Sequence, residues 1–167
     1  MGLAGQPPVP AVSYAHKNEF ARILQEYEAV ASLLSAAVRR RKRKPGTKML
    51  DDPVAAMDSA VAEAAITTAN DAYALLLMAR CEGYMREYLM SLGVPLDREP
   101  KLSTLIDRTR KEFNRSNPRI PIRPDIAAAV HDLREQRNAY AHGHGTNVFP
   151  PVDAMVVTLG RFFDQLP

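Results

Sequence analysis

The stretch Tyr73-Ala74-Leu75-Leu76-Leu77-Met78-Ala79-Arg80-Cys81-Glu82-Gly83-Tyr84-Met85-Arg86-Glu87-Tyr88-Leu89-Met90-Ser91-Leu92 decides the fold. Its apolar residues fall at helical steps and on more than one face. Leu75, Leu76, Leu77, Met78, Cys81, Tyr84, Met85, Tyr88 and Leu89 cover most of the girth. A helix apolar nearly all round belongs in the centre of a helical domain, because every face needs a partner. Gly93-Val94-Pro95 ends it.

Working outward, each flanking segment also has helical periodicity. From about Tyr14 to Lys44, Phe20, Ile23, Leu24, Tyr27, Val30, Ala31, Leu34 and Val38 recur at three- and four-residue steps. Pro45-Gly46 stops that helix. Asp51-Asp52-Pro53 suits a first turn and opens the segment that leads into the central helix. A continuous helix from there to Leu92 is long for a globular domain, so a break or kink is expected near Thr67 to Asp71. Leu102 to Arg115 sets Leu102, Leu105, Ile106 and Phe113 on one side, with Arg108, Arg110, Lys111 and Arg115 opposite. Ser116 to Pro124 holds three prolines and reads as an extended loop. Pro124-Asp125 opens a helix to about His142, and a last helix covers Val152 to Leu166. No stretch alternates with the period of a strand. The expected fold is all-α, a single helical bundle of five to six helices over residues 13–167. Residues 1–12, rich in Gly and Pro, are expected to form a flexible arm.

Composition narrows the chemistry. The 167 residues are 46% hydrophobic, enough for one core of ordinary domain size. No apolar run approaches the ~20 residues that span a bilayer, and no secretory pattern opens the chain. The single Cys81 inside a helix reads as a buried thiol in a reducing compartment. These features lead to the expectation of a cytoplasmic protein with no membrane partner. No zinc spacing, Walker-type loop or dinucleotide fingerprint is found, so neither metal nor cofactor is expected.

The residues with most chemical content are Arg134-Glu135-Gln136-Arg137-Asn138-Ala139-Tyr140-Ala141-His142-Gly143. The apolar seam of this helix runs through Ile126, Val130 and Leu133, then meets Arg137 where another apolar side chain is due. A partly buried guanidinium needs anions around it. Glu82, between Met78 and Met85 on the central helix, is the candidate partner. Two plainer roles stand beside it: a structural Arg137–Glu82 ion pair, or a Glu82–Arg86 pair within one helix. His142 stands at the helix end, where it could serve the last carbonyls or move a proton near neutral pH. Asn138, four residues earlier, shares its face. It could fix the imidazole tautomer, hold a substrate hydroxyl or face solvent. Arg137 and His142 lie about 140° apart around an ideal helix, so they converge only at a helix end or across a dimer seam. Tyr140 and Phe149 are available to line such a seam.

The spacing Arg137-Asn138, three residues, then His142, with the Ala79–Leu89 stretch as a central helix, resembles the HEPN family over roughly residues 14 to 165. The resemblance implies a metal-independent endoribonuclease that works as a homodimer, in the role of a toxin or antiviral effector with an antitoxin or regulatory partner. His142 is then the general acid or base, Arg137 stabilises charge on the phosphorane, Asn138 positions the ribose or phosphate, and Glu82 orients Arg137. The products implied are a 2′,3′-cyclic phosphate and a 5′-hydroxyl. A catalytically silent, dimeric RNA-binding module of the same fold is the alternative. A third form, a toxin silenced by nucleotidylation, typically carries a tyrosine two residues after the histidine; His144 stands there instead.

The run Arg39-Arg40-Arg41-Lys42-Arg43-Lys44 is dense for a chain of net charge +3. Basic residues suit a helix C-terminus in any case. Six in succession exceed that need and suit the RNA backbone, whose binding is largely electrostatic.

Overall fold

A computed structural model describes residues 12–43, 59–143 and 149–166. Five helices and no strands are found among them: α1 (Val12–Arg43), α2 (Ser59–Ser91), α3 (Leu102–Ser116), α4 (Pro124–Ala141) and α5 (Val152–Phe163). The all-α single-domain reading is therefore correct. Val12, assigned from sequence to the arm, is helical, while residues 1–11 lie outside the described residues. So do Lys44 and the expected helix start at Asp51.

α2 is the hub, and among the described helices it alone touches all four others. Ala74, Leu77, Met78, Cys81, Met85 and Leu89 are fully buried along it, and Tyr84 and Tyr88 nearly so. Each large side chain removed from water stabilises the fold by about 1.5–3 kcal/mol before the entropy of ordering is subtracted. α1 and α5 cover one side through Phe20, Ile23, Met155, Leu159, Phe162 and Phe163, and α3 covers another through Leu105, Ile106 and Phe113. α4 packs chiefly on α3 and α5 and reaches α2 at few points. The Arg137–Glu82 pairing expected from sequence needs α4 to reach the central helix; that contact exists but is the lesser one.

α2 does not break at Thr67 to Asp71. The Thr67 and Thr68 hydroxyls donate back to the Glu63 and Ala64 carbonyls, at 3.4 and 3.0 Å, so the threonines are satisfied within a continuous helix. Packing along α1 outweighs their weak local propensity. α2 ends where Gly93, at φ 69°, donates to Met90 while Val94 donates to Leu89. That pair of bonds closes the last turn, and the left-handed backbone favours glycine. The proline-rich loop before α4 is tied down by Asn114, whose Oδ1 accepts the Ile122 N–H at 2.7 Å.

No described helix is long and apolar enough to cross a membrane. Cys81 is buried as expected, and burial, with Glu82 beside it, pushes its thiol well above the ordinary range.

Candidate functional site

α4 delivers the Arg137–His142 segment, and its sequence explains how. Pro124 starts the helix and Asp125 complements its first turn. Arg123 grips that carboxylate with two bonds of 3.0 and 2.8 Å, which holds Asp125 below the usual carboxylate range. Ala127, Val130 and Leu133 then anchor the helix in the core. His131 meets Asp107 of α3 at 3.0 Å. Beyond Leu133 the seam leaves the core. Arg137 is partly exposed, Tyr140 is 43% exposed and Ala141 faces solvent.

The helix closes on the histidine itself. His142 is the C-cap residue, and its backbone N–H donates to Asn138 at 3.0 Å. Gly143 follows at φ 65° and donates to Tyr140 at 3.1 Å. Only glycine adopts that backbone without strain, so the position after the histidine is locally dictated. The His142 side chain stands at the surface. His144 lies outside the described residues.

Arg137 and Glu82 are brought together. The guanidinium Nη2 lies 3.9 Å from Glu82 Oε2, with the arginine side chain 37% exposed and the carboxylate partly buried. Glu82 Oε1 also accepts from Arg86 at 2.7 Å. Both pairings anticipated from sequence thus coexist, and the shorter is the one within α2. The carboxylate lies between two guanidinium groups; it hydrogen-bonds Arg86 and attracts Arg137 through charge alone, at a distance beyond hydrogen bonding. A guanidinium carries five N–H donors, and the Glu82 contact involves one of its terminal nitrogens. Arg137 and His142 are separated by about 7.5 Å of helix rise and about 140° of rotation, so an anion reaching both must bridge the end of α4.

Two residues at this end were not assigned from sequence. Arg134 precedes Asn138 and His142 by four and eight residues, so the three share one stripe of α4. Its side chain is mostly covered, with an ion pair to Glu135. The i, i+4, i+8 spacing was the available signal. Asn70 is the other. It is nearly buried on α2 and accepts the Val152 N–H at 3.2 Å while donating to the Phe149 and Pro150 carbonyls, both at 3.4 Å. This clamp fixes the chain just after residues 144–148 and caps α5, whose own N-cap residue, Pro151, gives no side-chain bond.

Phe149 corrects one expectation. It is 2% exposed and its ring packs against Tyr140, centroids 5.4 Å apart. Phe149 is committed to the core and unavailable for a dimer seam, whereas Tyr140 keeps an outer face. Arg39 is exposed at the end of α1, and Arg40 to Arg43 continue that helix. The basic run thus forms the C-terminal end of α1, with Lys44 beyond the described residues. Among the described residues no three His, Cys, Asp or Glu side chains converge as metal ligands. Comparison of the chain with family models, curated proteins and solved structures finds no match.

Proposed function

We propose that the protein is a metal-independent endoribonuclease of the HEPN kind, acting in the cytoplasm as a homodimer. The observation that carries the reading is the Glu82–Arg137 pairing at the end of α4 whose C-cap is the exposed His142. RNA carries its own nucleophile in the 2′-hydroxyl, and DNA lacks it. His142 moves the proton, as base on that hydroxyl or as acid on the leaving 5′-oxygen. Arg137, drawn towards Glu82 by charge, offers donors to the non-bridging oxygens as charge builds there. Asn138 positions the ribose or the phosphate. The role in the cell is that of a toxin or antiviral effector, held in check by an antitoxin or regulatory protein.

One geometric fact favours a second reading. Arg137 and His142 diverge around α4, and a single copy presents one motif histidine where cleavage uses both a base and an acid. A silent RNA-binding module fits a lone copy; a two-fold pair of motifs restores a complete set. The experiment is cleavage of a short oligoribonucleotide in excess chelator, with the product ends identified. The nuclease reading predicts a 2′,3′-cyclic phosphate and a 5′-hydroxyl, and no cleavage at a linkage whose 2′-hydroxyl is removed. RNA that is bound and left intact supports the silent module instead.

A further inference from the structure

Among the described side chains, Tyr140 carries the one phenylalanine or tyrosine ring that stands open to solvent. The five phenylalanines are buried, as are Tyr84 and Tyr88. Tyr27 and Tyr73 are half-buried and meet edge to face, centroids 5.7 Å apart. Tyr140 is 43% exposed and lies in the last turn of α4. Apolar ring surface is unfavourable in water. The core takes up every other described ring and leaves this one beside the Arg137–His142 motif.

The ring is braced from within. It packs on Phe149, with the two planes tilted by 45°. Phe149 is buried in turn, and Asn70 of α2 donates to its carbonyl at 3.4 Å. A tyrosine has few rotatable bonds to freeze, so a ring held this way offers a rigid surface at small entropic cost. Its neighbour gives that surface a meaning. Tyr140 follows Arg137 by three residues, which sets the two on one side of α4, about 60° apart and about 4.5 Å along the axis. Arg137 is itself 37% exposed. A cation and a flat apolar ring one short step apart match the two ends of a nucleotide, a phosphate and a base joined through one ribose. His142 lies about 160° from Tyr140 around the helix, so the ring stands with the phosphate-binding residue and away from the proton-transfer residue.

We propose that Tyr140 is a stacking platform for an RNA base, the base next to the phosphate that Arg137 engages. The inference rests on the reading of this helix end as an RNA site. Stacking needs only a π-face, which every base has, so the contact adds affinity at one position without reading the sequence. It also needs a base with one face open, so the nucleotide seated there is unpaired or turned out of its stack. Tyr140 is a binding residue in this arrangement and takes no part in proton transfer.

The test uses the full chain and an oligonucleotide of 2′-O-methyl nucleotides, which has no free 2′-hydroxyl to react. A single 5-iodouridine is walked along the strand, and the residue that it photo-crosslinks is identified by mass spectrometry. At one position the crosslink falls on Tyr140. Tyr140→Phe keeps the affinity, and Tyr140→Leu, which still packs on Phe149, weakens it roughly 5- to 150-fold with helix content unchanged by circular dichroism. Removing the base at the crosslinked position weakens the wild type by a similar factor and leaves Tyr140→Leu unaffected. A crosslink that maps elsewhere at every position overturns the proposal, as does a Tyr140→Leu protein that binds as tightly as wild type. A base removal felt equally by both proteins overturns it too, and this arm needs no variant to measure the base's contribution. A Tyr140→Leu protein that loses self-association in sedimentation, with its crosslinks unchanged, assigns the ring to the homodimer seam instead. A strand that is not bound at all removes the stacking site together with the RNA reading. Cleavage of the unmodified strand is read separately: base stacking without cleavage keeps this site and removes the nuclease reading, and cleavage without stacking does the reverse.

Discussion

Replacing Asn70 with alanine tests how the chain following the candidate site is held. Three hydrogen bonds are lost, at 3.2, 3.4 and 3.4 Å, all from one nearly buried side chain. Bonds of that length lie at the weak end, about 0.5–1 kcal/mol each. The Val152 N–H, on a fully buried residue at the start of α5, also loses its cap, which adds a desolvation cost. The total is about 2–3 kcal/mol. In a chain of this size about 2–4 °C of melting temperature accompany each kcal/mol, so Asn70→Ala should melt about 4–12 °C below the wild type. Urea unfolding followed by circular dichroism gives the free energy directly. A loss under about 0.5 kcal/mol, the ordinary scatter of surface substitutions, would show that the clamp does not hold α5 and would refute the reasoning.

Further outcomes follow from the same contacts. Leu105→Ala empties a fully buried site on α3 and should cost about 2–5 kcal/mol in the same unfolding assay. Tyr84 and Tyr88 should ionise near pH 12, because burial raises both and the Glu19 and Glu112 carboxylates add to it respectively; ultraviolet titration should show these two lagging, with Tyr27 also raised by burial and by Asp153. Their folded-state values are raised, so the stability tied to them is complete below about pH 10 and is lost as pH climbs towards 12. Replacing Arg39 to Lys44 with Gln or Ser should weaken RNA binding and flatten its dependence on salt, and an unchanged slope would remove the basic run from the interface.

The helices were legible because periodicity alone specifies them. The girth of Tyr73 to Leu92 announced the hub, and the stops at Gly93 and Gly143 are backbone necessities visible as residue types. The break near Thr67 was misread because local propensity was weighed without the neighbour: α1 runs alongside, and the two threonine hydroxyls find carbonyls in their own helix. Of the site, the Arg137–Glu82 pairing was legible as a charge out of place on an apolar seam. Phe149 was not, since a lone aromatic beside a Gly/Pro-rich loop does not reveal which way it faces. Asn70 was also hidden, because its role depends on chain about eighty residues away.

The central claim is that His142 transfers a proton during RNA cleavage, and the single-turnover cleavage rate of His142→Ala tests it most directly. The measurement uses an oligoribonucleotide at neutral pH with excess chelator and enzyme above saturation, beside wild type. Acid–base catalysis of this kind contributes about 10²–10⁴-fold. The account predicts a rate lower by at least about a hundredfold, with unchanged circular dichroism and RNA affinity. A His142→Ala protein that cleaves at the wild-type rate would contradict it.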